Sequence, residues 1–148
     1  MATRITHFLH QSTVTGAQSL GTAFSVADVH VHDLTEGQAP IVTNSRNWYG
    51  ILEGIFVKLT SGGAPTATTV TMRLCADAAG DEILIPDTTA TLVAGVTTTT
   101  TQAAAFSVKL PLFQLLNSPG NGSLYLFLHV DNAGTAPVMA QTTLTWSE

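Results

Sequence analysis

Apolar and polar residues alternate along most of this chain. In the segment TVTMRL, Val70, Met72 and Leu74 fall on one side, and Thr71 and Arg73 fall on the other. Successive side chains of a β-strand point to opposite faces, so a period of two predicts a strand with one face in a core.

The longest alternating segment is YGILEGIFVKLT. Ile55, Val57 and Leu59 share one predicted face, and Phe56 and Lys58 share the other. The turn sequence SGGAPTA separates this segment from TVTMRLCA. Because Gly and Pro favour a reversal of the chain, the two neighbouring strands are predicted to form a hairpin.

Turn residues divide the rest of the chain into short segments. DAAGDE, SPGNG and DNAGTAP are rich in the residues that turns require, and only PLFQLLN has a weak helical pattern. Strands are predicted over 23–34, 40–43, 50–60, 68–76, 83–86, 89–101, 105–113, 123–131 and 138–148, and 5–9 could be a further strand. Short strands at regular spacing predict an all-β fold, a jelly-roll-like β-sandwich of about eight strands.

The N-terminal part of the chain has a weaker pattern than the rest. QSTVTGAQSLGT is polar and lacks a clear alternation of apolar residues. We therefore expect residues 1–22 to form an extended N-terminal arm and residues 23–148 to form a single β-sandwich domain.

The segment SLYLFLHVD is apolar on both predicted faces. Leu124, Leu126 and Leu128 fall on one face, and Tyr125 and Phe127 fall on the other. A strand of this kind is covered on both sides. It is either central in the fold or presents one face to a partner.

Charge is scarce in this chain. Of 148 residues, five are Lys or Arg and ten are Asp or Glu, which gives a net charge of −5 and a charged fraction of 10%. Soluble domains average about 25% charged residues. Without a basic patch, neither nucleic acid nor an anionic membrane is an expected partner. An uncharged surface rich in Thr and Ala suits a protein that packs against neighbours.

The segment DVHVHDLTEG is the main candidate for chemistry. His30 and His32 lie two apart, so in a strand they share a face, and Glu36 follows four residues later. This spacing resembles the first metal motif of the cupins, a family of jelly-roll proteins. The resemblance implies a metal site of His30, His32 and Glu36, with His129 from a later strand as the fourth ligand.

The match to cupins covers about ten residues and departs from the family pattern. Phe24 stands where the family has a glycine, Gly37 comes early, and the second cupin motif is not reproduced. We therefore expect no metal and no other cofactor, with the two histidines on the solvent or interface face of an edge strand. The acidic cluster at Asp77, Asp81, Glu82 and Asp87 is interpreted as a solvated turn rather than a calcium site.

The two tryptophans and a neighbouring tyrosine are the aromatic residues considered for binding. Trp48 and Tyr49 begin the longest strand, and Trp146 lies two residues from the end. Such residues belong to a core, anchor a protein interface or stack on a sugar ring, and the sequence leaves these alternatives open.

Across its whole length, the chain resembles the small cement or decoration proteins of tailed-bacteriophage capsids. The resemblance lies in the short segment MATRITHFLHQSTVTGAQ and in the Thr/Ala/Gly-rich body, for example FVKLTSGGAPTATTVTMRLCADAAGDEILIPDTTATL. It implies a non-enzymatic homo-oligomer, a dimer or trimer, that binds the major capsid protein on the outer surface of the virion and is made in the host cytoplasm. The expected contact residues are Ile5, Phe8 and Leu9 in the arm and Trp48, Tyr49 and Trp146 in the body.

Two alternative functions remain at this point. The first is a carbohydrate-binding or receptor-binding β-sandwich of a phage tail or an adhesin, which predicts exposed aromatic residues on one sheet face. The second is a cupin-like metal-dependent enzyme, which predicts a bound transition metal that is lost in His30→Ala.

Overall fold

Nine β-strands lie in the part of the chain that the structure describes. The computed structural model describes residues 9–16, 18–34, 50–95, 99–115 and 122–147. The strands are β1 Leu9–Gly16, β2 His30–Asp33, β3 Ile51–Ser61, β4 Thr69–Cys75, β5 Ile83–Thr91, β6 Val93–Ala94, β7 Thr101–Pro111, β8 Ser123–Val130 and β9 Pro137–Ser147. Short 3₁₀ helices span Val26–Asp28 and Leu112–Leu115. No helix in these residues is long and apolar enough to cross a membrane.

The strands form two antiparallel sheets. One has the order β1-β9-β3-β7-β6 and the other the order β2-β8-β4-β5. The hairpin predicted for the strands at 50–60 and 68–76 is therefore wrong, because β3 and β4 belong to different sheets. The pairs β1–β9, β2–β8, β3–β7 and β4–β5 are nested along the chain, and β6 adds two residues to the edge of β7. This nesting is the strand order of a jelly roll, so the predicted fold class is confirmed.

The core lies between the two sheets and follows the predicted alternation. Ile55, Val57 and Leu59 of β3 are buried, whereas Phe56 on the other face is half exposed. A β-bulge shifts the register between Leu52 and Gly54. A bulge inserts one extra residue into a strand, so the buried positions change from even to odd numbers along β3. Leu52 therefore faces the core before the bulge, and Ile55 faces the core after it.

Strand β8 is covered on both faces by its own chain. Its inner face carries core leucines, and Phe127 on the outer face is also buried. The Phe24 ring packs edge-on against Phe127 at 6.3 Å between ring centroids. Gly80, at φ +83°, also packs against the Phe127 ring, because a Cβ on this glycine would lie 3.3 Å from the ring. The apolar outer face of β8 is therefore a covered part of the fold.

The predicted N-terminal arm is wrong from residue 9 onward. Leu9–Gly16 is strand β1, which pairs with β9 along its full length. Leu20 is buried, and its N–H donates to the Pro137 carbonyl at 3.2 Å. The sequence did not indicate this strand because its inner positions carry mainly small or polar residues. Residues 1–8 and the strand predicted over 40–43 lie outside the described residues.

Candidate functional site

His30 and His32 point into the sandwich from edge strand β2. Their exposed fractions are 2% and 0%. In the register with β8, His30 lies opposite Leu126 and His32 lies opposite Leu124, and both leucines are core residues. The expectation that the histidines lie on a solvent or interface face is therefore wrong, because directly paired residues share a face.

The two histidines share one hydroxyl. Thr142 Oγ1 lies 2.8 Å from His30 Nδ1 and 2.8 Å from His32 Nε2. His32 Nδ1 lies 3.0 Å from Ser12 Oγ. A hydroxyl can donate one hydrogen bond while it accepts another, so Ser12, His32, Thr142 and His30 form a continuous polar chain. We call these four residues the buried histidine cluster.

The buried histidine cluster joins the two sheets at one long edge of the sandwich. Ser12 and Thr142 come from β1 and β9 of the five-stranded sheet, and both histidines come from β2 of the other sheet. Strand β1 passes close to the rings, because a Cβ on Gly16 would lie 2.5 Å from His30 Nε2. A glycine is therefore required at this point of β1.

Burial keeps both imidazoles neutral at pH 7. It lowers the pKa of His30, and it lowers the pKa of His32 to about 4, with a further contribution from the charge of His30. Desolvation disfavours the charged form of a histidine, and the hydroxyl partners add no negative charge.

His129 does not join His30 and His32 in the described structure. His129 lies on the outer face of β8, where its ring packs on Phe24 at 4.5 Å between centroids, whereas His30 and His32 face inward. Glu36 lies outside the described residues. Within the described ranges, no three His, Cys, Asp or Glu residues group closely enough to hold a metal ion. The arrangement expected for a cupin-like enzyme is therefore wrong with respect to His129.

The acidic cluster in the turn after β4 has a structural role. The Asp77 carboxylate accepts hydrogen bonds from the backbone N–H groups of Glu82 at 2.9 Å and Asp81 at 3.2 Å. Arg73 pairs with Asp87 at 2.6 Å. These contacts stabilise the turn and the edge strand β5, as expected for a solvated turn.

Trp146 belongs to the core. Its exposed fraction is 2%, and its ring stacks on His10 at 5.7 Å between centroids. The expectation that Trp146 contacts a partner is therefore wrong for the chain in this fold. Leu9 begins strand β1. Ile5, Phe8, Trp48 and Tyr49 lie outside the described residues.

The outer face of the five-stranded sheet carries the main exposed apolar residues of that sheet. Phe56 is 48% exposed and Val93 is 66% exposed. They line an open depression of about 700 Å³ together with Ala103 and Ala105, which belong to the strand between them. Because alanine side chains are short, the middle strand leaves room between the two larger residues. We call this surface the Phe56 face.

The Phe56 face has few charges. On β3 the charged residues are Glu53 and Lys58, and the exposed or half-exposed positions of β1 and β9 around Phe56 carry Thr and Gln. The alternation of the sequence placed Phe56 opposite the core, but its role as an exposed residue was missed. The available signal was a large apolar residue at a position where the pattern expects a polar one.

Comparisons with known proteins identify no family for this chain. No family model matches the chain, and no curated protein matches it. The structure of Tomato Aspermy Virus is similar at 10% identity and a TM-score of 0.41, over 99% of this chain and 80% of that chain. Infectious bursal disease virus VP2 is similar at 13% identity and a TM-score of 0.41, over 95% of this chain and 32% of that chain.

An enzyme also occurs among the similar structures. The exo-β-1,3-galactanase of Phanerochaete chrysosporium, solved with galactose, is 8% identical with a TM-score of 0.42, over 97% of this chain and 30% of that chain. The chain therefore spans about a third of the length of this protein and of VP2.

Proposed function

We propose that this chain is a non-enzymatic structural protein of a viral particle, a cement or decoration protein of a tailed-bacteriophage capsid. It binds the major capsid protein on the outer surface of the shell as a homo-oligomer, a dimer or trimer, after synthesis in the host cytoplasm. A jelly roll serves capsid proteins, lectins and cupins alike, so the fold does not decide among them. The Phe56 face is the observation that carries the proposal.

The size of this face suits a protein partner. Strands lie about 4.8 Å apart and rise about 3.3 Å per residue, so the five strands cover roughly 700 Å². One side of a stable protein interface buries about 800 Å². The sheet face is therefore close to the size of one interface.

The chemistry of the face also favours protein contact. Burial of an unpaired charge is costly, and the residues around Phe56 are mainly Thr, Ala and Gln, which lose little on desolvation. Phe56 is a half-exposed aromatic residue that lines a depression, as an aromatic anchor of an interface does. A repeated shell adds many such contacts, so modest single interactions suffice for stable attachment.

The N-terminal segment supplies the second contact of the proposal. Residues 1–8 precede β1, and strand addition to a neighbouring subunit is a common way for such a segment to bind. Ile5 and Phe8 are the proposed anchors, and Trp48 and Tyr49 are proposed body contacts.

Co-sedimentation with shells tests the proposal. Purified chain is mixed with empty shells assembled from the major capsid protein encoded in the same genome, and the mixture is separated on a density gradient. Saturable binding at a fixed ratio supports the proposal, and the absence of any binding overturns it. Phe56→Ser should reduce binding at least tenfold. Phe113→Ser is the matched control, because Phe113 is 58% exposed on a different part of the chain.

Carbohydrate binding is the second candidate. Phe56 lies directly opposite Thr143 in the sheet register, and Lys58 lies opposite Gln141, so an exposed ring is surrounded by hydrogen-bonding groups. An aromatic ring with polar neighbours can stack on a sugar. A glycan array separates the two proposals, because shell binding predicts no signal and sugar binding predicts a signal that Phe56→Ser removes.

A further inference from the structure

The buried histidine cluster lies at the edge of the sandwich that β1 and β2 form. Strand β2 has four residues, and its ladder in the described residues is with β8 alone. Strand β1 has eight residues, all paired with β9. We infer that the cluster is a pH-sensitive latch, in which protonation of the histidines releases β2 while the other strands stay folded.

No opposite charge faces the two rings in the described part of the chain. Strand β1 presents Ser12 and Gly16, with His10 further along the same face, where its ring stacks on Trp146, and β9 presents Thr142. Strand β8 presents Leu124 and Leu126. The titratable group nearest to each histidine is therefore the other histidine, and a proton on either ring creates a buried charge without a counter-ion.

Asp28 does not supply the missing negative charge. It lies two residues before His30, in the 3₁₀ helix that leads into β2. Burial raises the pKa of the Asp28 carboxyl, and burial lowers the pKa of both histidines.

The hydrogen-bond pattern makes the second proton more disruptive than the first. With one proton on His32, its two N–H groups donate to Ser12 and Thr142, and the Thr142 hydroxyl still donates to His30 Nδ1. A second proton on His30 turns that nitrogen into a donor as well. Thr142 then loses its acceptor, and two positive charges share one hydroxyl oxygen.

The strand pairing at this edge favours the release of β2 over the release of β1. The backbone of β1 lies against the His30 ring at Gly16, so β1 leaves no room on its side for a further group beside the ring. Of the two edges that meet here, β2 is held by fewer ladder hydrogen bonds. Its release exposes the edge of β8, a site at which another strand can add.

Hydrogen exchange combined with histidine NMR tests the latch on the intact chain. Exchange is measured at pH 7 and at about pH 4.5 and corrected for the intrinsic dependence of the rate on pH. We expect at least a tenfold loss of protection in residues 30–33 at the lower pH, with protection retained in β3 and β4. The NMR titration should show that His30 and His32 take up protons in the same pH range. Protection of β2 that persists until the whole chain unfolds overturns the inference.

Matched variants separate the latch from general acid sensitivity. The double variant H30Q/H32Q cannot be protonated and should keep β2 protected at the lower pH. H129Q alters a histidine on the outer face of β8 and should behave like the natural chain. If the double variant does not fold, T142V keeps both histidines but removes their shared hydroxyl, and it should release β2 at a higher pH. Release of β2 by T142V at an unchanged pH contradicts the latch.

Discussion

Gly54 lies directly beneath the Phe56 ring on the outer face of β3. A Cβ on Gly54 would lie 3.0 Å from Cε2 of that ring and 2.7 Å from Thr145 Oγ1. The glycine therefore lets the ring pack along the sheet, and the ring covers backbone that would otherwise contact water. Aromatic residues commonly protect a strand glycine in this way.

Substitution of Gly54 by alanine should disturb the Phe56 face more than the fold. The new methyl group displaces the Phe56 ring and the Thr145 hydroxyl, and both side chains can move into solvent. We expect a loss of about 1 kcal/mol in the free energy of unfolding and a reduction of shell binding comparable to that of Phe56→Ser. Urea unfolding and co-sedimentation measure the two effects. Unchanged binding would show that the orientation of the ring is unimportant.

Gly16→Ala should be the most damaging glycine substitution at the histidine edge. The added Cβ would lie 2.5 Å from His30 Nε2, and the ring is buried and held by Thr142. We expect a loss of about 2 to 3 kcal/mol, because neither the ring nor the backbone of β1 can move freely.

Gly21→Ala is the matched control for this substitution. A Cβ on Gly21 meets nothing within 4 Å, so this change should alter stability by less than about 0.5 kcal/mol. Chemical denaturation of both variants at pH 7 gives the comparison. Equal stability of the two variants would mean that β1 does not lie against His30 in solution.

Thr142→Val should destabilise the chain through lost hydrogen bonds rather than lost volume. Valine has nearly the same shape, but it leaves His30 Nδ1 and His32 Nε2 without the partner that each has at 2.8 Å. A buried polar group without a partner costs about 1 to 3 kcal/mol, so we expect a loss in this range.

Thr143→Val is the control on the opposite face of the same strand. The Thr143 hydroxyl bonds to Thr13 at an exposed position, where water can replace the partner. Its loss should cost less than about 0.5 kcal/mol in urea unfolding. A larger loss from Thr143→Val than from Thr142→Val would contradict the buried position of the cluster.

The sequence predicted the faces of the central strands but not the edge of the sandwich. Ile55, Val57 and Leu59 lie in the core as the alternation indicated, because β3 has apolar residues at its inner positions. Strand β1 gave no such signal, since its inner face carries Ser12 and Gly16.

The histidine pair shows why periodicity alone does not place a polar residue. The spacing of His30 and His32 correctly put them on one face, but chemical type suggested the solvent side. Their inward orientation depends on the register with β8 and on Thr142, which is more than a hundred residues away in the sequence. The sequence around His30 and His32 therefore gives no information about their contact with Thr142.

The stability of the chain should fall steeply as pH decreases through the range in which free histidine is protonated. The pKa of His32 is about 4 in the folded chain and 6.5 in the unfolded chain. Between these values the unfolded chain binds more protons, so the free energy of unfolding decreases as pH falls. The full stability is therefore present above about pH 6.5, and below about pH 4 this contribution has no further effect.

The size of the loss in the free energy of unfolding follows from the shift in the pKa of His32. One pKa unit corresponds to about 1.4 kcal/mol, so His32 alone accounts for roughly 3 kcal/mol, and His30, whose pKa is also lowered, adds in the same direction. The carboxylate of Asp131, with a pKa of about 2, loses its contribution only at lower pH. Urea unfolding at a series of pH values measures the profile. H32Q should flatten it between about pH 6.5 and 4, whereas H129Q should leave it unchanged, and an equal slope in H32Q would show that His32 is not buried in its neutral form.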